Sequence, residues 1–466
     1  MINQVLSNFE VTAVVLTILR HALIGGLIFI IVLSGNVYLS RRELRHLRRL
    51  GLPPREKSNL ADQFDARYEK EEGAPQNEPI VVKALHVYPV KSCAPIELER
   101  ALLTKTGFAY DRCFALAVEA TQGGEWQFIS QRTKPRMSLV RQELWLPDDR
   151  SSKDDQLVQA GGCLVVSFPD PDAPGSTIGR VKAVIEARSL SATPHVRFIV
   201  PLLPSNGPPA GRQPGPPLKS FTIHSRQASG LDFGQLPTVV AALPKLKRFL
   251  KIPERQRFTI MRCTPDTLVR TTRNLAPLDY IGTPAVHGYT DQQPVHIVNL
   301  PSVHATSKLL PRENQPLNAL RFRANIYCAG APAFSEETWK RYRITPKPVA
   351  SRRRAQVAPL FSVVCRTSRC TMPNVIPEKG VFEEDIPRPD KKKGKPQPST
   401  TLVSHRTVEN GNAAALGYLG MHCVPEDSTL KEAVERGGAG LYIEVGDEID
   451  ILETGTHLYG STGDDY

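Results

Sequence analysis

The stretch that decides our interpretation of the chain is residues 363–374 (VVCRTSRCTMPN). Two β-branched residues open it and a Pro-Asn pair closes it, which predicts a strand running into a turn. Such a turn can hold the thiol of Cys370 outside the packed sheet. Arg366 and Arg369 flank this cysteine, and nearby positive charge favours the thiolate, the form that attacks electrophiles and binds soft metals. These residues alone leave open a second interpretation, a half-buried core cysteine beside two solvated arginines.

Length, composition and charge indicate a globular protein of several domains. The chain has 466 residues, enough for about two or three domains with separate cores, and 41% of them are hydrophobic. Many of the 40 prolines are clustered, which predicts disordered inserts between folded parts. The net charge of +12 is concentrated in runs such as residues 41–49 and 391–395, and no aromatic-plus-basic strand pattern occurs. We therefore predict no nucleic-acid partner.

The cysteines and glycines exclude several common cofactor sites. The 8 cysteines are scattered, without a CxxC pair or the cysteine–histidine spacing of a zinc site. This pattern argues against a disulfide scaffold and favours a reducing compartment. The sequence also lacks a glycine-rich dinucleotide fingerprint and a haem or iron–sulfur cysteine pattern. We likewise expect no pyridoxal phosphate site.

The N-terminal residues predict a membrane anchor. Residues 22–39 (ALIGGLIFIIVLSGNVYL) carry no charge, and at about 1.5 Å each they span roughly 27 Å, close to the thickness of a bilayer core. The basic flank that follows (RRELRHLRR, 41–49) should stay on the cytosolic side, the reverse of a cleaved signal peptide. We predict a single-pass anchor over residues 1–40 in the mitochondrial outer membrane or endoplasmic reticulum, and a basic flank and stalk over 41–79. A buried core helix is the alternative.

A first folded region is predicted over residues 80–257. Residues 80–90 are β-rich and short strands follow, separated by glycines, which favours a small antiparallel sheet or barrel. We predict these strands at residues 114–118, 126–129, 138–146, 163–168 and 183–187. Residues 169–218 are rich in proline and glycine and are interpreted as a loop insert. Residues 239–250 favour a helix that Pro244 breaks or kinks.

A second folded region is predicted over residues 258–455. The pattern indicates strands at 294–300 and 322–328, a helix at 302–310 and a helical turn at 336–342. A charged, proline-bearing insert is predicted at 382–400. Residues 440–452 alternate around a Gly-Asp turn, as two paired strands would. The fold class we predict is α+β and β-rich.

Several turns combine cations with hydroxyl or amide groups. Lys91 and Ser92 follow the first strand, Asp111 is placed to orient Arg112, and residues 131–136 (QRTKPR) add further cations. The alternation of residues 321–325 places Arg321, Arg323 and Asn325 on one face of a predicted strand. Such donors converging on one place are what a phosphorylated or polyanionic ligand requires. Taken singly, each is also explained as a solvated surface residue or a structural ion pair.

These motifs, in this order, resemble those of the MOSC proteins. The motifs are YPVKSC at 88–93, GFAYDR at 107–112, QRTKPR at 131–136, RFRANI at 321–326 and SRC at 368–370. Within that family the chain is most similar to the mitochondrial amidoxime-reducing components, which also have an N-terminal membrane anchor. The resemblance implies a small β-barrel MOSC N-terminal domain and a β-barrel MOSC domain, with a molybdenum cofactor (Mo-molybdopterin) between them.

The resemblance also implies roles for individual residues. Cys370 would be the thiolate ligand to molybdenum and a catalytic residue, and Asp291 a catalytic proton relay or a residue that orients others near the metal. The residues implied to bind the cofactor are Lys91, Ser92, Arg112, Gln292, Gln293, Arg323, Asn325, Ser368, Arg369 and His422.

The chain departs from the family pattern at four places. Gln292 and Gln293 stand where the amidoxime reducers have small hydroxylated residues, and Ala324 stands where a proline is frequent. His422 follows a Leu-Gly-Met sequence where the family has Phe-Gly-Gln. The gap between Cys365 and Cys370 (residues 366–369) is two residues longer than is usual in the family, so we interpret Cys365 as structural.

The function implied is that of a membrane-anchored molybdenum oxidoreductase that reduces N-hydroxylated, amidoxime-type compounds. Its electrons would come from an NADH-dependent flavoprotein reductase through a b-type cytochrome. Two non-enzymatic alternatives stay open: a molybdenum cofactor or sulfur carrier of the MOSC class, and an anchored scaffold with a degenerate pocket.

Overall fold

The structure is a computed structural model, and it describes most of the chain from residue 42 onward. The described residues are 20–21, 23–27, 42–53, 56–120, 123–173, 180–181, 183–184, 192–204, 215–272, 275–347, 357–387, 393–408, 416–437 and 440–455. No helix within these ranges is both long and apolar enough to cross a bilayer. Most of the predicted anchor at residues 22–39 lies outside the described residues.

Strands make up most of the regular structure, which agrees with the β-rich prediction. In chain order they are β1 Arg48–Leu50, β2 Val81–Val87, β3 Ile96–Leu98, β4 Arg100–Thr104, β5 Gly107–Phe108, β6 Phe114–Glu119, β7 Trp126–Phe128, β8 Arg141–Leu146, β9 Cys163–Pro169, β10 His195–Pro201, β11 Leu218–Ile223, β12 Arg226–Asp232, β13 Phe258–Arg262, β14 Val269–Arg270, β15 Val286–His287, β16 Val295–Asn299, β17 Ile326–Ala329, β18 Trp339–Thr345, β19 Leu360–Arg369, β20 Val375–Ile376, β21 Val381–Phe382, β22 Gly417–Pro425, β23 Leu441–Glu444 and β24 Glu448–Thr454.

The α-helices whose bounds are fully described are short and connect strands. They are α1 Gln156–Gln159, α2 Pro237–Val240, α3 Leu243–Phe249, α4 Leu278–Ile281, α5 Leu300–Leu309, α6 Ser399–His405 and α7 Asp427–Glu435. Helices α2 and α3 divide the predicted helix at 239–250, and Pro244 lies in the first turn of α3, where a proline is tolerated.

Five strands close into a small barrel in the order β11-β12-β13-β6-β7. Its interior is filled by alternating apolar side chains, among them Phe221, Ile223, Ala228 and Met261, because successive residues of a strand point to opposite sides of the barrel wall. Strand β13 begins at Phe258, so this strand, which the sequence placed in the second region, is part of the first barrel.

A larger barrel is formed by the ring β17-β16-β22-β19-β18-β24-β2, and the pairing of β2 with β17 closes it. Strand β2 comes from the first predicted region, yet its neighbours Ile326–Ala329 and Glu448–Thr454 come from the second. The two-barrel architecture expected from the resemblance is therefore confirmed, with the N-terminal strand exchanged into the C-terminal barrel.

The described residues of 42–53 and 56–78 pack on the folded body instead of forming the predicted stalk. Strand β1 pairs with β8 at the edge of a four-stranded sheet β1-β8-β9-β10. Leu60 is 2% exposed and packs in a core cluster with Val303 of α5. The Gln63 side chain accepts a hydrogen bond from the Ala319 N–H at 2.7 Å. Buried apolar side chains and paired polar groups make this segment part of the fold.

The predicted loop insert at 169–218 also contains regular structure. Strand β10 lies inside it and pairs with β9 along seven residues, from His195↔Pro169 to Pro201↔Cys163. The strand predicted at 183–187 is not present in the described part, since Ala183 and Val184 are helical.

Three local predictions in the second region are also wrong. Residues 321–325 do not share a strand face, because Ala319–Phe322 is a 3₁₀ turn that ends at Arg323 in the left-handed region. The helical turn predicted at 336–342 stops at Thr338, where β18 begins. Strands β23 and β24 do not pair with each other: β23 pairs with β4, and β24 pairs with β18 and β2. The insert predicted at 382–400 ends in α6.

Candidate cofactor-binding cleft

A cleft with about 800 Å³ of empty space, partly open to solvent, gathers most of the predicted site residues. Its lining includes side chains from the small barrel and from four neighbouring strands of the large barrel, β17-β16-β22-β19, with their adjoining turns. The predicted residues that line it are Lys91, Ser92, Arg112, Asp291, Gln293, Arg323, Asn325, Ser368, Arg369, Cys370 and His422. Gln292 is not among them: it is buried, and its amide has no hydrogen-bond partner among the described residues.

Cys370 lies directly after the end of β19, where the strand runs into a 3₁₀ turn over Met372–Asn374, as the sequence predicted. The thiol is half-buried, lines the cleft, and accepts a hydrogen bond from the Met372 N–H at 3.4 Å. Cys365 is 1% exposed in a separate apolar cluster with Val364 and Val424. The thiol that faces the cleft is therefore Cys370.

Lys91 and Ser92 are fixed where the chain leaves β2. The Lys91 N–H donates to the Phe114 carbonyl at 2.8 Å, and the Gln131 amide donates to the Ser92 carbonyl at 2.8 Å. Ser92 has φ 65°, a left-handed conformation that these contacts maintain. Its hydroxyl is buried and has no partner among the described residues, so it is available to a ligand.

Lys91, Asp291, His224 and Arg132 form a chain of contacts along one wall. Lys91 makes an ion pair with Asp291, whose carboxylate also accepts from His224 Nε2 at 3.3 Å, and His224 Nδ1 accepts from Arg132. Burial lowers the pKa of Lys91 to about 8, although Asp291 acts in the opposite direction. Burial would raise the pKa of Asp291, but Lys91 and His224 outweigh this and hold it well below its usual range.

Arg112 and Arg323 lie together over the ring of Tyr88, at 4.4 and 4.3 Å from its centroid. Arg112 is ion-paired to Asp111, as the sequence predicted, and donates to the Arg323 carbonyl at 2.9 Å. The Asn325 amide donates to the same Asp111 at 3.0 Å. Arg323 donates to the Cys93 carbonyl at 2.8 Å, while its second terminal nitrogen is buried without a partner in the described structure.

Arg369 supports the floor of the cleft. It is 8% exposed and donates to the carbonyls of Phe322 and Leu419 and, at 2.6 Å, to Nε2 of His296. His422 lies beside His296, with ring centroids 5.5 Å apart. Burial, helped by the Arg369 charge, lowers the pKa of His422 to about 3, so the ring is neutral at physiological pH. Neither ring nitrogen of His422 has a partner among the described residues.

Backbone strain is concentrated at this cleft. Seven non-glycine residues in the described ranges have positive φ, and four of them line the cleft: Ser92, Arg112, His224 and Arg323. Such conformations cost of order 1–3 kcal/mol each and tend to persist at functional sites, where the surrounding structure holds them.

The lining fits a large anionic molecule that contains a metal, and Cys370 of the protein is the soft ligand available to that metal. Within the described ranges, six cations and a single carboxylate face the cleft. Several buried polar atoms on its walls lack a partner among the described residues: Ser92 Oγ, Thr290 Oγ1, Arg323 Nη2, Thr367 Oγ1 and both ring nitrogens of His422. Leaving such groups unpaired costs about 1–3 kcal/mol each, so a bound ligand that pairs them would be stabilised. One thiol, Cys370, is placed to contact a soft metal.

Sequence reasoning did not assign several lining residues. These are Arg132, His224, Thr290, His296, Phe322, Thr367, Met372 and Pro373, and Arg321 lines the cleft although it is not on a strand face. Arg132 was within a recognised motif but was given no role. His224 lies in the two-residue turn between β11 and β12, and the alternation of these strands was the signal that could have located it.

Two family models match the chain over ranges that together span more than half of it. Residues 80–173 match the MOSC N-terminal beta barrel domain, and residues 284–450 match the MOSC domain. No curated protein matches the chain significantly. MOSC domains are typical of molybdenum-cofactor-binding proteins, and proteins of the family are often molybdenum cofactor sulfurases or reductases. The chain carries both domains and is a MOSC-domain protein.

Proposed function

We propose that the protein is a molybdenum-cofactor oxidoreductase that reduces N-hydroxylated compounds of the amidoxime type. The observation that carries this proposal is the cleft, in which Cys370 lies among cations and buried, unpartnered donors. A carrier of the cofactor or of sulfur would use the same donors, so the test below has to separate binding from turnover.

The residues that would hold the cofactor follow from their available atoms. Ser92 Oγ, Arg323 Nη2 and the Lys91 ammonium are suited to phosphate and pterin oxygens, and the neutral His422 ring is suited to a donor–acceptor contact with the pterin. The Cys370 thiolate would be a metal ligand. When bound, the molybdenum centre supplies a two-electron reduction in which the N–O oxygen of the substrate leaves as water.

Asp291 and Arg369 would act by holding other cleft side chains in position. Asp291 is ionised at neutral pH and holds both Lys91 and His224, so orienting these two side chains is the role that its state supports. Arg369 ties three segments of the floor together and keeps His296 neutral, since burial and the adjacent guanidinium both lower the pKa of that ring.

The proposal also includes partners and a membrane location. The sequence lacks a dinucleotide fingerprint and haem or iron–sulfur patterns, which supports a need for electron-transfer partners. As the family resemblance implies, these would be an NADH-dependent flavoprotein reductase and a b-type cytochrome. The charge-free residues 22–39 support an anchor in the mitochondrial outer membrane or endoplasmic reticulum, with the folded part facing the cytosol.

The test compares the wild type with Cys370→Ala and Cys365→Ala. We expect wild-type protein from a host that makes the cofactor to contain molybdenum and to reduce benzamidoxime with the reconstituted electron donors. Cys370→Ala should lower turnover by more than about 100-fold and remove one sulfur ligand from the molybdenum X-ray absorption spectrum. Cys365→Ala, which removes a thiol outside the cleft, should keep both.

Two results would contradict the proposal. Protein that stays metal-free and inactive when cofactor is supplied would remove its basis. Protein that binds molybdenum through Cys370 but reduces neither benzamidoxime nor related N-hydroxylated compounds would be a carrier.

A further inference from the structure

The six cations that line the cleft in the described part of the chain differ in the acceptors that their side chains contact. Five are held by a carboxylate or a backbone carbonyl: Lys91 by Asp291, Arg112 by Asp111, Arg321 by Glu383, Arg323 by the Cys93 carbonyl and Arg369 by the Leu419 carbonyl. Arg132 is the exception among the described residues, since its contact is with the His224 ring alone. Among the described residues its side chain therefore has neither a carboxylate nor a carbonyl as acceptor.

The roles of the two ring nitrogens of His224 follow from the groups that they contact, Arg132 and Asp291. A guanidinium has no acceptor, so Nδ1 of His224 must accept from Arg132, and an ionised carboxylate has no donor, so Nε2–H must donate to Asp291. A ring that accepts through Nδ1 fixes the direction of the Arg132 guanidinium without offering it a carboxylate, and leaves most of its five N–H donors for another group.

Thr290 is an independent second donor on this wall. Its side chain is 4% exposed, lines the cleft and has no partner for Oγ1 among the described residues. Its carbonyl accepts from Arg226 at 3.2 Å, which ties the loop before β16 to the β11–β12 hairpin. The hydroxyl is thereby held in place next to Asp291, the residue that contacts His224.

Other donors of the cleft come from the strands of the large barrel and their adjoining turns. The large barrel carries Arg323 and His422, which were assigned above to the cofactor, and the metal ligand Cys370. It also carries Thr367, which lines the same cleft. Arg132 follows β7 of the small barrel, and His224 lies in the β11–β12 turn, a segment outside both matched family ranges. Thr290 lies in the loop before β16, so the Arg132–Thr290 pair is formed where the small barrel meets the large one.

We propose that Arg132 and Thr290 form an anion subsite for the substrate, so that the preferred compounds carry a carboxylate or phosphate group in addition to the group that is reduced. The nature of the reduced group rests on the proposed function, but the anion subsite does not. Guanidinium–carboxylate hydrogen bonds are among the strongest in proteins and give geometric selectivity as well as affinity.

The test uses the full-length, cofactor-loaded protein without an electron donor, so that binding is measured without turnover. Dissociation constants of 4-carboxybenzamidoxime and of uncharged benzamidoxime are determined by calorimetry. We expect the wild type to prefer the acid by roughly tenfold or more, and Arg132→Gln to lower this preference by about tenfold. Arg132→Lys should keep part of it, since the charge remains but the planar fork is lost. Thr290→Val should lower it to a smaller extent.

Arg136→Gln is the matched control. Arg136 lies on the same short segment, but its guanidinium donates to the Phe249 carbonyl at 3.2 Å and does not line the cleft, so this variant should keep the wild-type preference. The preference is the ratio of the dissociation constants of the two compounds within one variant. A general loss of folding would affect both constants and would therefore not change this ratio.

Three outcomes would overturn the subsite: a wild-type preference near one, an equal preference in the Arg132→Gln and Arg136→Gln variants, or loss of molybdenum and pterin from Arg132→Gln with the preference unchanged. The last result would assign Arg132 to the cofactor. Turnover measured afterwards with an artificial reductant separates the two proposals. Preferential binding of the acid without reduction of either compound would leave the subsite standing and refute the reductase, and reduction of both without preference would do the opposite.

Discussion

At the residue scale, the cleft holds charged side chains in states set by their surroundings. Lys91 is 3% exposed, and burial brings its pKa down to about 8, close enough to physiological pH for its charge to vary. Asp291 is 38% exposed in its side chain, yet remains ionised because Lys91 and His224 contact it. A ligand anion near Lys91 would stabilise the ammonium and raise its pKa again.

This state predicts a pH dependence for anion binding by the cofactor-free protein. Sulfate is a suitable probe because its charge is constant over the range used. Of the two forms of Lys91 only the ammonium attracts an anion. With its pKa at about 8, affinity should be full about one pH unit below that value and fall by up to about tenfold per pH unit above it, until only the attraction of the other cations remains. Calorimetry between pH 6.5 and 9.5 measures this.

Two lysine variants make that prediction specific. Lys91→Gln should bind sulfate more weakly at pH 7 and without the decline above pH 8. Lys245→Gln removes a lysine that pairs with Asp170 outside the cleft, so it should follow the wild type. A decline that persists in Lys91→Gln would show that another group titrates.

At the scale of elements, the strand leading to Cys370 was predictable and its neighbours were not. Two β-branched residues before a Pro-Asn turn place Cys370 at the end of β19 from local pattern alone. The turn that presents Arg323 was missed because its alternating sequence imitates a strand, while the left-handed φ of 53° is imposed by distant contacts. Strands β23 and β24 have partners far away in sequence, which local alternation does not reveal.

The same division holds for the site. Lys91, Ser92, Arg112 and Cys370 were found because their motifs carry donors or a thiol next to turns. His224 was missed because its role depends on a hairpin being folded against the loop that holds Asp291, a contact between segments 67 residues apart.

Gly420 of β22 lies in closely packed surroundings at the cleft floor, so its replacement measures how tightly that floor is packed. It has φ 79°, and an added Cβ would lie 2.6 Å from Val298 Cγ2 and 2.7 Å from His296 Nε2. Gly420→Ala should therefore cost about 1–2 kcal/mol for the left-handed backbone plus about 1–3 kcal/mol for overpacking. Urea unfolding measures this free energy.

Gly437→Ala is the matched control, since Gly437 also has positive φ, 61°, but open space where a Cβ would be. It should show the backbone cost without the packing cost. An equal decrease in the free energy of unfolding in the two variants would mean that the side chains around Gly420 rearrange without a packing cost.

At the scale of the whole molecule, residues 56–78, here called the strap, pack on the side of the large barrel. Leu60 and Tyr68 are buried beside α5, and His304 Nε2 contacts the Gln63 carbonyl at 2.6 Å. Any anchor preceding residue 42 is thus joined to a segment that packs on the body.

Packing of the strap predicts protection from proteases. Leu60→Ala removes a side chain that is 2% exposed, and loss of a buried leucine costs about 2–5 kcal/mol, so native-state tryptic cleavage after Arg67 should become at least about tenfold faster. Phe64→Ala, in the same segment but 47% exposed, should leave the rate near that of the wild type. Rapid cleavage of all three proteins alike would indicate a loose stalk.

The exchange of β2 into the large barrel has a consequence for the order of synthesis. The β2 strand leaves the ribosome early, but it pairs with β17 and, through Val81↔Glu448, with β24, which is made more than 350 residues later. The small barrel, complete once Arg262 has emerged, has no such delay. The large barrel, whose strands carry much of the cleft, therefore closes only after β24 has been translated, and until then β2 is a strand with unpaired edges.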